Sequence, residues 1–290
     1  MGNGFRISKG LGLGALVLLT GPAAFAALDL GPAADFAVFQ MGASGGGGKW
    51  NSSDATINGN VAFNDTSPGG NPNTIVNGNI EDPNVSPPNW TISGTSAQEP
   101  ESTLNAFANE ARAFSSAAAA FTSPSIGAVN GAQTYTFTAA NLAQPGTYVV
   151  STTSIDLNGG QDLVLNGAAL PAGSRVIVNV SGDFKLNGGS AIILSGLTAA
   201  QVLFNYTGTH DAHLTGGSEF SGTLLAPNST AAFDDEGAVI NGSVIAASVN
   251  FSSHVTINGI SFVPEPTSSI AGALLLLPFG AGALRMVHKC

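Results

Sequence analysis

A short unit recurs along this chain: an apolar residue, then Asn, Ser or Thr, then Gly. Each copy follows residues that alternate between apolar and polar, which is the period of a β-strand. Asn and Gly both tolerate positive φ, so we expect a turn or corner after each strand. The units predict a mainly β protein of many short strands. The nine copies are Ile57-Asn58-Gly59, Val76-Asn77-Gly78, Ile92-Ser93-Gly94, Leu157-Asn158-Gly159, Leu165-Asn166-Gly167, Leu186-Asn187-Gly188, Leu214-Thr215-Gly216, Ile240-Asn241-Gly242 and Ile257-Asn258-Gly259.

The spacing of these units distinguishes two β architectures. The step is 19 residues from Gly59 to Gly78 and 21 from Gly167 to Gly188. Steps of about 20 residues suit the coils of a β-solenoid, in which each coil stacks its apolar residues on the last. An antiparallel sandwich more often turns every 8–12 residues or so, as in the step of 8 from Gly159 to Gly167. We therefore predict a right-handed β-solenoid (β-helix), with a β-sandwich as the alternative.

One segment, residues 99–121, lacks glycine and has a helical period. Its large and small apolar residues are three or four apart, so they share one stripe of a helix. Three phenylalanines on one stripe need a large apolar surface to cover them. We predict an α-helix at about residues 100–121 that packs alongside the solenoid. The stripe consists of Leu104, Phe107, Ala111, Phe114, Ala118 and Phe121.

The N-terminal segment has the order of a secretory signal peptide. Arg6 and Lys9 precede the apolar run 11–19, and Ala24 and Ala26 form a small-x-small cleavage motif. This order of a basic region, an apolar region and a cleavage site predicts a signal peptide at residues 1–26. A permanent N-terminal anchor is the alternative.

The C-terminal segment also has three parts in a fixed order. Pro264, Glu265 and Pro266 are followed by the uncharged run 270–284 and then by basic residues. Fifteen residues are short for a bilayer core of about 30 Å, and the flanking basic residues favour a cytoplasmic C-terminus. We predict a sorting and transmembrane tail at 264–290 and an exported body at 27–263, with a buried core helix as the alternative for the tail.

This tail resembles the PEP-CTERM sorting signal of Gram-negative bacteria. That resemblance implies an exosortase-type partner, which cuts near Pro264-Glu265-Pro266 and releases or re-attaches the protein at the cell surface. The body resembles the choice-of-anchor A surface domains in its opening, 30–39, and in the stretches 202–206, 220–228 and 240–246.

The order of parts in the body is also similar to the bacterial ice-binding adhesin domain. The chain has an opening Leu-Gly segment, early coils, a long helix, then Gly146-Thr147-Tyr148 and closing coils. That family has a three-sided β-solenoid with a helix alongside, so the resemblance supports the predicted fold more than a particular function.

Composition excludes some partners and chemistries. The formal net charge is −10, and four of the eight basic residues lie in the two terminal segments. Such an acidic body repels nucleic acid and anionic lipid. The single cysteine, Cys290, lies in the predicted tail, so the body can form neither an internal disulfide nor a thiolate metal site.

Two clusters are candidates for metal binding. His210 and His213 flank Asp211, but residues i and i+3 of a strand point apart, so an exposed pair is the simpler interpretation. His254 is expected to be an ordinary strand residue. The acidic turn Asp234-Asp235-Glu236 could bind Ca²⁺ weakly, although it lacks the EF-hand spacing. We expect no other cofactor.

Three further sets of residues carry alternative functions. Trp50 and Trp90 could stack on sugars or cap the core. Thr134, Thr136 and Thr138 alternate as on an ice-binding strand, but no Thr-x-Thr repeats at coil spacing. A polysaccharide-active enzyme would need a carboxylate cluster on one face, for which the candidates are Asp156, Asp162 and Asp183.

The sequence predicts an exported, non-catalytic structural or adhesive protein of the cell envelope or extracellular matrix, anchored at the surface or released. Its expected partners are the exosortase-type enzyme, the membrane through the tail, and extracellular polysaccharide or protein, the last through the long faces of a solenoid. An ice-binding protein is the alternative, and a polysaccharide-active β-helix is a third possibility. We expect no catalytic residues.

Overall fold

The computed structural model describes residues 28–42, 50–64, 69–70, 73–83, 90–234, 237–252 and 254–262. The predicted signal peptide and sorting tail lie outside these ranges, as do Asp235 and Glu236. Within these ranges, no helix has both the length and the hydropathy needed to cross a bilayer.

The described part of the chain is mainly β, with 23 strands and one α-helix, α1 (Glu101–Ala119). Three 3-10 helices lie at Gly31–Asp35, Ala139–Asn141 and Ala199–Gln201. The strands before α1 are β1 (Val38–Gln40), β2 (Trp50–Ser52), β3 (Thr56–Asn58), β4 (Val61–Phe63), β5 (Gly69–Gly70), β6 (Ile75–Val76), β7 (Ile80–Asp82), β8 (Thr91–Ile92) and β9 (Ser96–Gln98). The strands after it are β10 (Ala128–Val129), β11 (Gln133–Thr136), β12 (Leu142–Gln144), β13 (Thr147–Thr152), β14 (Ser154–Asn158), β15 (Asp162–Asn166), β16 (Arg175–Val180), β17 (Phe184–Asn187), β18 (Ala191–Ser195), β19 (Val202–Tyr206), β20 (Ala212–Leu214), β21 (Glu219–Phe233), β22 (Val239–Phe251) and β23 (Thr256–Asn258).

Strand pairing is parallel, and many strands pair with the third strand after them. Among the described strands, only the pair β12–β13 is antiparallel. β13, β14 and β15 pair with β16, β17 and β18 in turn. Parallel neighbours cannot be joined by tight hairpins, so this pattern does not support the antiparallel sandwich that the sequence left as an alternative.

The pairings sort the strands into three columns. The first column is β11, β15, β18, the starts of β21 and β22, β23, β3, β6 and β8. The second is β13, β16, β19, the middles of β21 and β22, β1, β4, β7 and β9. The third is β10, β14, β17, β20, the ends of β21 and β22, β2 and β5.

The order of strands within a column does not follow the order of the chain. β1 pairs with both β22 and β4, and β23 pairs with both β22 and β3. The chain therefore enters in the middle of the stack, runs to one end at β9, resumes after α1 at the other end with β10, and returns to its starting point. We call the contact of β1, β2 and β3 with β22 and β23 the seam.

The interior between the columns is filled by alternate apolar side chains. Phe184, Phe204 and Phe220 lie on three different columns, and their ring centroids are 5.1–5.9 Å apart. Near the seam, Trp50 is 1% exposed, and its ring centroid lies 5.4 Å from that of the partly buried Trp90. Both tryptophans therefore pack with the core and do not form an exposed sugar platform.

The helix prediction is confirmed, with observed bounds of Glu101–Ala119. Pro100 precedes the first turn, and Glu101 lies near the positive end of the helix dipole. A helix of this length spans about 28 Å, the height of about six strands at their usual spacing. Its stripe covers an apolar row on the outer side of the second column. That row is Val149, Ile177, Leu203, Leu225 and Ile245, and it meets the buried Leu104, Ala108, Ala111, Phe114 and Ala118 of the helix.

A buried amide pair connects α1 to the second column. The Asn205 side-chain nitrogen donates to the Ser115 carbonyl at 3.0 Å and to the Asn179 side-chain oxygen at 2.8 Å. The Asn179 nitrogen in turn donates to the Ala118 carbonyl at 2.9 Å, and the Ser115 hydroxyl donates to the Asn205 oxygen. We call these three side chains, Asn179, Asn205 and Ser115, the helix clamp.

Both ends of the described domain meet at the second column. The Arg175 guanidinium, 2% exposed, donates to the Leu28 carbonyl at 3.0 Å. The same guanidinium lies 5.5 Å from the centre of the Phe262 ring, and that ring also contacts Phe114 of α1. Residues 28 and 262 therefore lie together on the helix-covered side.

The predicted corner after β3 and after β23 begins at the glycine of the Asn-Gly pair and not at the asparagine. Among the described non-glycine residues, positive φ occurs only at Asp54 and His254, so Asn58 and Asn258 are the last extended residues of β3 and β23. At Gly78, which follows β6, a Cβ atom would collide with the backbone carbonyl of Gly59 in the adjacent layer of the stack.

Candidate functional site

Near the seam, the first column has an outer surface of threonine and asparagine. Thr56 is in register with Thr256, and Asn58 with Asn258. Within β3, Ile57 is fully buried, whereas Thr56 and Asn58 on either side of it are partly exposed. The alternation that places isoleucine in the core therefore aligns two outward rows at the strand spacing of about 4.8 Å.

The same two rows continue on neighbouring strands. Val239 and Asn241 of β22 are in register with Thr256 and Asn258. On the other side, Ile75 of β6 is in register with Thr56 and with Thr91 of β8. We call these residues the Thr–Asn surface; none of them carries a charge. Its members are Val239, Thr256, Thr56, Ile75 and Thr91 in one row and Asn241, Asn258, Asn58, Asn77 and Ser93 in the other.

The asparagines of this surface form a continuous hydrogen-bonded ladder. The Asn77 amide donates to the Asn58 oxygen at 2.8 Å, and Asn58 donates to Asn258 at 2.9 Å. Asn258 then donates to Asn241 at 2.9 Å. The ladder crosses the seam between Asn58 and Asn258, so it joins two chain segments 200 residues apart.

Aliphatic side chains extend the first column away from the seam. Val164 and Ile193 follow Thr134 in register, and Ile193 is 42% exposed. Ile75, within the Thr–Asn surface, is 40% exposed. Of the three predicted threonines, Thr134 and Thr136 lie on β11, but Thr138 caps a 3-10 helix and leaves the strand.

The outer side of the third column is charged. The His210 Nδ1 atom lies 2.9 Å from an Asp183 carboxylate oxygen, and the Lys185 amine lies 3.4 Å from the other oxygen. The hydrogen bond from His210, then that from Lys185, holds the pKa of Asp183 below its ordinary value. The Thr–Asn surface carries no charged group of this kind, although the first column continues beyond Val239 to the exposed Glu219.

The predicted histidine site is not assembled. His210 contacts Asp183, whereas His213 lies 4.0 Å from Asp234, which directly follows β21. His254 is an exposed bend residue with φ 63°, not the strand residue that we expected. Within the described ranges, no group of three His, Cys, Asp or Glu side chains is arranged to hold a metal ion. Calcium binding by Asp234-Asp235-Glu236 stays a prediction, because two of the three residues lie outside those ranges.

The three carboxylates expected for a polysaccharide-active enzyme do not share a face. Asp156 lies on β14 of the third column, and Asp162 lies on β15 of the first. Asp183 precedes β17 and is paired with His210 and Lys185. The proposed carboxylate cluster is therefore wrong.

Acidic side chains also meet in a cleft beside the second column. Asp35, Glu81 and Glu99 line it together with Phe36 and Phe107. Partial burial, followed by repulsion from Glu99 and Asp35, raises the pKa of Glu81. These carboxylates destabilise one another at neutral pH.

The family comparison matches this architecture. A family described as an ice-binding-like adhesive domain matches residues 25–258. The match covers most of the chain, and the chain belongs to this family.

Several solved structures of ice-binding proteins have similar folds. One, from the Antarctic ascomycete Antarctomyces psychrotrophicus, has 21% identity and a TM-score of 0.56, over 82% of this chain and 99% of that one. The Shewanella frigidimarina domain has 19% identity and a TM-score of 0.55, over 81% and 99%. An Arctic yeast ice-binding protein has 18% identity and a TM-score of 0.52, over 83% and 96%. At these identities the likeness shows the fold alone. No curated protein matches the chain.

The Thr–Asn surface was missed at the sequence level. The signal was present, because Thr-Ile-Asn-Gly occurs at 56–59 and again at 256–259. A search for Thr-x-Thr at coil spacing did not find it, since the second position of the repeat is asparagine and the two copies stack across the seam.

Proposed function

We propose that the three columns close into a three-sided, right-handed β-solenoid with α1 along its second side. Pairing with the third following strand supports this, because it gives one strand per side in each coil. The fold likeness to the solved proteins supports it too. Each column then presents one outer side, and α1 covers one of the three.

We infer that the protein binds ice, and that the first column provides the contact. The observation that carries this proposal is the Thr–Asn surface: two uncharged rows in register on a rigid parallel sheet. An ice-contact surface must hold a layer of ordered water at regular spacing, and small hydroxyl, amide and methyl groups on strands can do so. The third column is less suitable, because its charged groups order water around themselves individually.

A structural or adhesive role is the second candidate. The family description as an ice-binding-like adhesive domain favours it. The resemblance of residues 264–290 to a sorting signal supports export, processing by an exosortase-type enzyme, and either display at the cell surface or release. Because residues 28 and 262 lie on the helix-covered side, a protein anchored through its C-terminus would be attached at the second column and not at the first.

Thermal hysteresis and ice-crystal shaping by the purified protein test ice binding directly. Thr56→Tyr places a bulky ring in the middle of the Thr–Asn surface and should abolish both effects. Asn51→Tyr places the same ring on the exposed outer side of the third column and should leave them intact.

The results separate the two functions. If the unaltered protein neither depresses the freezing point nor shapes ice, ice binding is wrong and adhesion becomes the leading function. If Thr56→Tyr retains full activity, the ice-contact surface lies elsewhere on the molecule. Adhesion would be measured separately, as retention of the protein on immobilised polysaccharides.

A further inference from the structure

The asparagine ladder leaves part of each amide unused. Asn58 donates one N–H to Asn258 and accepts one hydrogen bond from Asn77. A primary amide has two N–H donors and an oxygen with two lone pairs. Each interior member of the ladder therefore keeps one N–H and one lone pair for another partner.

These remaining groups are available to water. Asn58, Asn258 and Asn241 are partly exposed, and Asn77 at the end of the ladder is exposed. The side-chain hydrogen bonds along the row fix the orientation of each amide, whereas a threonine hydroxyl can rotate. Water held by this row would repeat at the strand spacing of about 4.8 Å and in a fixed orientation.

We propose that Asn241, Asn258, Asn58 and Asn77 form a water-anchoring row, which orders the first water layer on the Thr–Asn surface and determines how the protein recognises ice. This inference rests on the proposed ice binding. The row differs from the threonine row beside it because its amide dipoles are locked by one another before any water arrives. Preorganised groups order water at a smaller entropic cost than mobile ones.

The ladder also has a structural role, so a test must separate the two roles. The third column supplies a matched control. There, the Asn187 amide donates to Asn158 at 2.8 Å, and the Thr215 hydroxyl donates to Asn187 at 2.7 Å. This second ladder has similar exposure but lies outside the proposed ice-contact surface. It ends at Asn158, whose amide also donates to the Asp156 carboxylate at 3.0 Å.

The experiment compares two double substitutions. Asn58→Ala with Asn258→Ala breaks the first ladder, and Asn158→Ala with Asn187→Ala breaks the second. Denaturant unfolding measures the structural loss, which should be similar in both. Thermal hysteresis at equal concentration should fall several-fold only for the first pair, and the ice planes bound by fluorescently labelled protein should change with it.

Other outcomes overturn the inference in distinguishable ways. If hysteresis is unchanged in the first pair while Thr56→Tyr still abolishes it, the row is purely structural and the proposed function stands. An equal fall in both pairs means that activity follows stability alone. If the unaltered protein lacks activity, the proposed function and the row fail together.

A single substitution covers the case in which a double variant does not fold. Asn77 ends the first ladder and Asn158 ends the second, so Asn77→Ala and Asn158→Ala each remove one ladder bond at an exposed position. Only Asn77→Ala should lower hysteresis. Equal activity of these two variants would contradict the proposal.

Discussion

Replacing Asn205 by alanine should destabilise the protein more than any comparable change at its surface. Asn205 is fully buried beneath α1 and makes three hydrogen bonds, two with Ser115 and one with Asn179. Each such bond contributes about 1 kcal/mol net, so their loss accounts for about 3 kcal/mol. The orphaned partner groups cannot reach solvent, and a buried unpaired polar group costs a further 1–3 kcal/mol or so. We expect a total loss of about 4–6 kcal/mol in the free energy of unfolding.

Urea unfolding followed by circular dichroism measures this loss. Asn187→Ala is the matched control, because Asn187 also belongs to an asparagine ladder but is partly exposed. Water can replace its lost partners, so the control should lose no more than about 1 kcal/mol. Equal losses for Asn205→Ala and Asn187→Ala would refute the reasoning, since burial would then not determine the cost. A double-mutant cycle with Ser115→Ala should show coupling between these two clamp residues.

Three further perturbations test the fold and its electrostatics. Glu81→Gln should raise the free energy of unfolding at neutral pH by less than about 1 kcal/mol, because the cleft is half-exposed. Since the folded pKa of Glu81 is raised, the contribution of this carboxyl group to stability falls as the pH rises above 4.5. The advantage of the variant should therefore disappear in denaturation curves recorded below that pH. Gly78→Ala should lower the free energy of unfolding by about 1–3 kcal/mol, because the added Cβ atom would collide with the backbone of Gly59. Gly131→Ala should be nearly neutral, since its Cβ atom would meet no atom within 4 Å. Equal unfolding midpoints for the two variants would contradict close packing at the corner. His210→Ala removes the main cause of the lowered pKa of Asp183, so an NMR titration should find that pKa closer to its ordinary value, and an unchanged titration would show that the His210–Asp183 contact does not persist in solution.

Local patterns in the sequence predicted the elements of the fold well. The mainly β character follows from alternating runs such as Thr56–Asn58, in which Ile57 is buried and its two neighbours are partly exposed. The helix follows from the spacing of Leu104, Ala111 and Phe114, which all lie in the apolar contact with the second column. In both cases the residues that determine the element lie within one segment, and so the period is visible without knowing any partner.

The order of the stack could not be predicted in the same way. β1 pairs with β22, and Val38 lies opposite Val244 more than 200 residues further along the chain. Short apolar strands of similar composition could pair in several orders, and period alone does not choose among them. The carboxylate prediction was wrong for a related reason: Asp156 and Asp162 are close in sequence, yet a corner places them on different columns.

The position of the Thr–Asn surface gives the seam a functional meaning. A stack assembled in chain order would place its first and last strands at opposite ends, and local unfolding at either end would leave the middle of the stack folded. Here the first and last coils meet in the middle, and the asparagine ladder passes between them at Asn58 and Asn258. The proposed ice-contact surface is therefore complete only when both chain segments have folded onto each other. A partially folded molecule would lack the continuous row, so ice binding should report on the completed fold more sharply than secondary structure does. Thermal hysteresis measured along a denaturant titration should then fall as the contacts of β1, β2 and β3 with β22 and β23 are lost. Persistence of hysteresis after the seam has opened would show that one chain segment is enough for ice binding.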